Sequence, residues 1–327
     1  MPSRPRDWHG YLGNRKKISY LKRLCDGCRK RGEPLFNILI RGCPGIGKTR
    51  LARSIAKAVR GDYFPVDASG DLSIDAVRDL VQRLNTGDVF HIDEAHAMGR
   101  KLQDLLLGIA GEDKMLKRDD MPIGKKKADN FISVSSFTLI LTTNLPSQLS
   151  QALRSRMGME VFLEPYRIED MREIVHRIVT RKGLRVKNHV LTHFARASRG
   201  IPRRAEHLIG QAYLFFPEPD RVLTTSDFHS LMDKIDYYMD DEVVLNEQEQ
   251  KYLTSLLKYE KPVLISQLVK DAKSERQLLF DEVEYLLFKD GLVQAEPRGR
   301  VLTPKGREVA RRLPGFDTDN DIEMEVQ

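Results

Sequence analysis

A parallel, doubly wound α/β domain, followed by a helical lid and a C-terminal winged helix, is the fold class predicted by this chain of 327 residues. Three observations carry that expectation. Short apolar runs alternate with helically periodic segments from Asn37 to Leu141, the order that builds a parallel sheet. From about Pro165 the strand-like runs stop, and Ile168–Arg181, Asn188–Ser198, Arg203–Phe215 and Ser226–Ile235 all read as helices. Near the end, further helices give way to Gly291–Gln294 and Arg300–Thr303, two short strand candidates around Pro297-Arg298-Gly299.

The elements follow in order. Asn37-Ile38-Leu39-Ile40 reads as a buried strand running into Gly42-Cys43-Pro44-Gly45-Ile46-Gly47-Lys48-Thr49, and Thr49–Val59, apolar at Leu51, Ala52, Ile55 and Val59, as the helix leaving it. That is the phosphate-cradling loop in its expected context. Gly42, Gly45 and Gly47 let the backbone close round phosphate, with Pro44 and Ile46 between them. Lys48 offsets phosphate charge, the Thr49 hydroxyl suits Mg2+, and Arg50 opens the helix. Tyr63–Val66 is the next strand, and a helix carries Ile74, Val77, Leu80, Val81 and Leu84. The apolar strand Val89-Phe90-His91-Ile92 then ends in Asp93-Glu94, where Asp93 can hold a metal's water shell and Glu94 can take a proton from an attacking water. Together these motifs imply hydrolysis of a nucleoside triphosphate, with ATP and Mg2+ expected. A helix at Leu102–Ile109 and a strand at Phe137–Leu141 complete the alternation.

Composition narrows the class. With 41% apolar residues the chain can bury a sizeable core in two or three domains. No run reaches the ~18 apolar residues of a membrane span, so a cytoplasmic protein is expected. Cys25-x-x-Cys28 has no second Cys or His pair at zinc spacing and reads as two helix residues. The formal charge is +7, but Asp317–Gln327 holds five acids and no Lys or Arg, so residues 1–316 carry +12. Such an excess favours a polyanionic partner, and the acidic tail itself reads as disordered. Expected boundaries are 1–164 for the sheet domain, 165–240 for the lid, 241–313 for the winged helix and 314–327 for the tail, with Asp236–Glu242 as an acidic linker.

Further motifs carry a family resemblance. Arg4-Pro5 with Tyr11-Leu12-Gly13, Arg31-Gly32-Glu33-Pro34-Leu35, Thr142-Thr143-Asn144 at a strand end, Leu153-Arg154-Ser155-Arg156, Ser198-Arg199-Gly200-Ile201-Pro202-Arg203 and Leu292-Val293-Gln294 with Pro297–Arg300 resemble, over nearly the whole chain, the AAA+ ATPases of the RuvB family of Holliday-junction motors. The resemblance implies that Tyr11 and Leu12 line the adenine side with Tyr166 stacking nearby, that Asn144 is a first sensor, and that Arg203 is a second. It also implies that Arg154 or Arg156, with Arg156 slightly favoured, reaches into a neighbouring copy's site, which requires a homo-oligomeric ring, a hexamer by family analogy.

Two basic segments bear on partners. Residues 112–136 fit a protruding β-hairpin with a Lys125-Lys126-Lys127 tip. In the family this hairpin docks a RuvA-type partner, and a basic tip could also meet nucleic acid or only solvent. Arg298, Arg300, Lys305 and Arg307 in the wing segment suit backbone phosphates of duplex or branched DNA, although winged helices also dock proteins. Cys43-Pro44, Leu141-Thr142-Thr143-Asn144 and the acidic Ala295-Glu296 in the wing depart from the family pattern and mark a divergent relative, for which a switch or loader is the alternative to a translocating motor.

Overall fold

The computed structural model describes Trp8 and residues 11–70, 72–111, 115–117, 131–240, 242–274, 276 and 279–314. The Arg4-Pro5 segment, the Lys125–Lys127 tip and the tail from Asp317 lie outside the described residues. The chain divides into two compact units, Met1–Pro165 and Tyr166–Gln327.

The first unit is built on five parallel strands in the order β2-β3-β6-β1-β7. These are β1 (Ile38–Arg41), β2 (Tyr63–Asp67), β3 (Val89–Asp93), β6 (Thr138–Thr143) and β7 (Met159–Phe162). Strands β3 and β6 are buried along nearly their whole length, which is why they read as continuous apolar runs rather than alternating ones. Helices α1 (Arg15–Arg31), α2 (Lys48–Val59), α3 (Ile74–Arg83), α4 (Arg100–Ala110) and the short α5 (Gln151–Ser155) cover the sheet. Val77, Val81, Leu102, Leu106 and Ile109 pack on Leu39, Phe90, Ile92, Leu139 and Leu141 to form its main core. Ser73 caps α3 by accepting the Ala76 N–H at 3.1 Å. Edge strand β7 was not foreseen, because Met159-Glu160-Val161-Phe162 is short and interrupted by a charged residue, Glu160. Cys25 and Cys28 do lie on a helix, α1, and burial pushes the Cys25 thiol up to about 12. In the insertion, β4 (Met115–Lys117) pairs antiparallel with β5 (Phe131–Ser133), matching Leu116 with Ile132.

The second unit begins with α6 (Ile168–Lys182), α7 (Asn188–Ala197), α8 (Pro202–Phe215) and α9 (Thr225–Lys234), within a residue or two of the expected helices. Strands do not stop entirely at Pro165. Two-residue strands β8 (Arg185–Val186) and β9 (Val222–Leu223) pair in parallel, and both are too short to leave a periodic signal. The acidic linker is likewise structured: β10 (Tyr238–Met239) pairs with β11 (Val244–Leu245), and the Asp240 carboxylate closes the turn by accepting the Glu242 and Val243 N–H groups.

The winged helix has its own apolar core running from Val243 to Leu313. It contains α10 (Glu247–Leu257), α11 (Ile265–Asp271), α12 (Tyr285–Lys289), the hairpin β12 (Val293–Glu296) with β13 (Gly299–Leu302), and α13 (Pro304–Arg311). Val263 pairs with Arg300 outside the hairpin, and a side chain at Gly299 would meet the Val263 carbonyl at 2.2 Å, so only glycine fits there.

Candidate active site and nucleic-acid interface

The phosphate loop sits between β1 and α2, at the carboxyl end of a central strand of the parallel sheet. Gly45 and Gly47 have φ of 75° and 103°, the left-handed region where glycine costs least. At Gly42 an added Cβ would lie 2.8 Å from the Leu163 carbonyl, so the loop is closed on one side by backbone. The Lys48 ammonium is folded back on the carbonyls of Gly42 at 3.1 Å and Cys43 at 3.4 Å, at the amino end of α2.

Strand order places the acids beside this loop. Asp93 ends β3, one strand away from Thr142 on β6. Its Oδ2 accepts the Thr49 hydroxyl at 2.6 Å, and its Oδ1 accepts the Thr142 hydroxyl at 2.5 Å and the Glu94 N–H at 3.1 Å. Burial pushes the Asp93 carboxyl up, but these hydrogen bonds outweigh it and hold the group below its ordinary value. Glu94 is in the left-handed region at φ 48°, a conformation uncommon for a side-chain-bearing residue and one that turns the chain sharply at the strand end. Its Oε2 lies 3.4 Å from His96 Nδ1, which is also 3.3 Å from the Thr143 hydroxyl beside Asn144.

Sequence reasoning singled out Lys48, Thr49, Asp93, Glu94 and Asn144 but passed over the polar residues packed behind them. Tyr63, His91, Thr142 and His96 were passed over as strand or helix-start residues. A signal existed for one of them: His91 interrupts an otherwise apolar buried strand, and a fully buried polar side chain requires partners. Burial brings the His91 ring down to about 4, so it is neutral at physiological pH.

The remaining predicted residues are placed as follows. Tyr11 and Leu12 are half-buried just before α1, in a segment tied to the end of the sheet by Asn14, which donates to and accepts from the Glu164 backbone. Arg50 is exposed on α2. Arg154 and Arg156 are both exposed at the end of α5, yet they differ: Arg154 faces Glu160 at 3.6 Å, alongside an ion pair of Arg41 with the same acid, whereas among the described residues Arg156 reaches the Ala152 carbonyl at 3.4 Å and pairs with no acid. In the second unit, Tyr166 is buried and donates its N–H to the Gly200 carbonyl, and Arg203 is exposed on the first turn of α8.

The wing departs from expectation. Arg298 is exposed at the β12–β13 turn, but Arg300 binds Glu284 through two bonds, Nε to Oε1 at 2.9 Å and Nη2 to Oε2 at 3.1 Å, with Tyr252 also donating to that buried acid at 2.6 Å. A guanidinium held this way is part of the winged-helix core rather than a free phosphate contact. Lys305 and Arg307 lie on α13, not on the wing.

Two family models match the chain, the Holliday junction DNA helicase RuvB P-loop domain over residues 3–163 and the RuvB C-terminal winged helix domain over residues 242–311. The chain belongs to the RuvB family. A Holliday junction branch migration complex subunit RuvB from Nitratiruptor sp. is 29% identical over 96% of this chain and 92% of its own length. The RuvB subunit of Mycoplasmopsis pulmonis is 28% identical over 95% and 98%. Among solved structures, the Thermotoga maritima RuvB Holliday junction branch migration motor superposes with a TM-score of 0.80 at 26% identity, covering 94% of this chain and 98% of that one. The first unit thus carries the P-loop ATPase domain of the RuvB family, and the phosphate loop and acid pair lie within the matched residues. Among the described residues no helix is long and apolar enough to cross a membrane.

Proposed function

We propose that this chain is an ATP-driven DNA motor of RuvB type, working in the cytoplasm as a homo-oligomeric ring, a hexamer by analogy, on duplex or branched DNA. The observation that carries the reading is the pairing of Thr49 with Asp93 at the mouth of a phosphate loop, in a chain whose other end is a RuvB-type winged helix. Both donors are oxygen, a set that suits a hard cation such as Mg2+, which when bound would offset charge on the phosphate oxygens.

The chain's own groups divide the work. Backbone N–H groups of the loop and Lys48 cradle the β- and γ-phosphates, Glu94 takes the proton of the attacking water, and Asn144 hydrogen-bonds that water or the γ-phosphate. Arg156 of a neighbouring copy supplies positive charge as the terminal phosphate leaves, a role favoured over Arg154 because, among the described residues, Arg154 and not Arg156 faces an acid. Arg203 answers to the presence of the γ-phosphate from the second unit. The domain limits of 165–240 and 241–313 go with this reading, as does a RuvA-type partner on the β4–β5 hairpin.

The test is ATPase rate with and without linear duplex and four-way junction DNA, beside a branch-migration assay. Stimulation by DNA and movement of the junction are expected. An ATPase indifferent to DNA that moves no junction would favour the second reading, an ATP-dependent loader whose winged helix docks a protein. The engagement of Arg300 by Glu284 and the acidic Glu296 in the wing lend that reading its support. The ring has a separate test. Arg156→Ala mixed with Lys48→Ala should regain activity at interfaces where an intact loop meets an intact arginine. Co-assembly without recovery would move the role to Arg154.

A further inference from the structure

Four side chains from three neighbouring strands form a continuous hydrogen-bonded line across the sheet. Tyr63 on β2 meets His91 Nδ1 at 2.7 Å, His91 Nε2 on β3 meets the Thr142 hydroxyl at 2.8 Å, and Thr142 on β6 meets Asp93 Oδ1 at 2.5 Å. The line has only one consistent polarity. An ionised carboxylate accepts and never donates, so the single hydroxyl proton of Thr142 goes to Asp93. The Thr142 oxygen must therefore accept from His91, which places the ring proton on Nε2 and leaves Nδ1 to accept from Tyr63. The ring is fully buried, so each of its nitrogens needs a partner, and this arrangement supplies both.

We propose that Tyr63 and His91 are positioning residues for Asp93, acting through Thr142 to fix which carboxylate oxygen faces the phosphate loop. Thr142 has a competing acceptor, the Ile92 carbonyl at 3.3 Å. His91 keeps the hydroxyl turned to Asp93 by filling the oxygen's other side. With Oδ1 held by Thr142 and the Glu94 N–H, the carboxylate has one free direction, and Oδ2 points to Thr49. The far end of the line is also secured, because Tyr63 stacks on His91 with ring centroids 5.7 Å apart and carries the Arg53 guanidinium 5.7 Å from its own centroid. A histidine present only to fill space would need none of these bonds to be directional. The inference rests on the reading that Asp93 and Thr49 serve the divalent ion of the bound nucleotide.

The test uses the full chain and the variants His91→Phe, Tyr63→Phe and His91→Gln. Mn2+ binding with a non-hydrolysable ATP analogue, followed by electron paramagnetic resonance, gives metal affinity directly. Fluorescent-nucleotide binding in EDTA gives nucleotide affinity without metal. His91→Phe should weaken Mn2+ binding by about 10-fold, the usual scale for losing an outer partner of a metal ligand. Tyr63→Phe, which removes one hydroxyl and keeps the stacked ring, should weaken it by about 3-fold. His91→Gln, whose amide can both donate and accept, should stay within about 2-fold. Nucleotide affinity in EDTA should be unchanged in all three. Wild-type Mn2+ binding in both Tyr63→Phe and His91→Phe overturns the relay while leaving the metal reading of Asp93 intact, as does a parallel loss of affinity in EDTA. A wild-type chain whose ATP binding and turnover ignore divalent ions overturns the metal reading and the relay with it.

Discussion

Asp93 and Glu249 are both buried or half-buried acids held below their ordinary pKa, yet they are held in opposite ways. Burial pushes each up. At Asp93 the compensation comes mainly from the hydroxyls of Thr142 and Thr49, which leave the negative charge in place, whereas at Glu249 it comes from Arg199 and Arg204, which cancel it. Glu249 is fully buried on the first turn of α10, where its carboxylate also completes a capping box with Asn246. Arg199 lies 2.6 Å from one of its oxygens and Arg204 lies 3.0 Å from the other, both from the chain around the start of α8. Glu284, with Arg300, repeats the second pattern. A carboxylate whose charge survives can attract a cation, and one already neutralised by arginine can only hold structure.

The largest effect expected from that contrast is on stability. Glu249→Gln removes the buried negative charge that Arg199 and Arg204 share and should destabilise the second unit by about 3 kcal/mol, read by urea or thermal unfolding. Asp93→Asn removes an acid that, among the described residues, is held by hydroxyls and a backbone N–H rather than by an arginine, and should cost no more than about 1 kcal/mol, while abolishing turnover. Equal destabilisation by the two would erase the distinction. The pH dependence follows the same logic. The folded-state pKa of Glu249 is depressed, so its stabilisation is fully present above the unfolded value of about 4.3 and is lost as pH falls through the lower folded value. Acid unfolding of Glu249→Gln should lack that component.

Next comes chemistry beside the charge-retaining acid. Glu94→Gln should bind ATP normally and turn over at least about 100-fold more slowly, the scale for a general base. Quench-flow rates with nucleotide affinity measured in parallel check it. Near-normal turnover would pass the role to another group within reach of the water, and His96 is the first to try, since it lies 3.4 Å from Glu94.

These two acids also mark where the sequence could be read. The loop, Asp93, Glu94 and the strand–helix alternation were legible because each follows from local order: glycines at fixed spacing, an apolar strand before an acid pair, helices with clear periodicity. Glu249, Glu284 and the Tyr63–His91–Thr142 line were not, since their partners lie 16 to 50 residues or more away and become neighbours only when strands or helices pack. The same limit explains Arg300. In sequence it is one of a cluster of basic residues, and only the register that brings β13 over α12 reveals the acid waiting for it. Strands β7, β8 and β9 escaped notice for a different reason, being only two to four residues long.

The smallest expected effect separates two arginines two residues apart. Arg298 is exposed at the wing turn and Arg300 is bound by Glu284, so the pair tests whether a basic cluster acts as a unit. Arg298→Ala should weaken binding to all duplex sequences alike and lower the slope of log affinity against log salt by about 0.9, one phosphate contact, with unfolding unchanged. Arg300→Ala should leave that slope alone and lower the stability of the winged helix, because among the described residues it leaves the buried Glu284 carboxylate with Tyr252 alone to satisfy it. Fluorescence anisotropy from low to moderate salt, with thermal unfolding of each variant, reads both quantities. If Arg300→Ala lowers the slope as much as Arg298→Ala, its guanidinium leaves Glu284 when DNA arrives, and the wing rearranges on binding. If neither variant changes the slope, the wing does not grip phosphate, and a winged helix that docks protein becomes the better account of the chain.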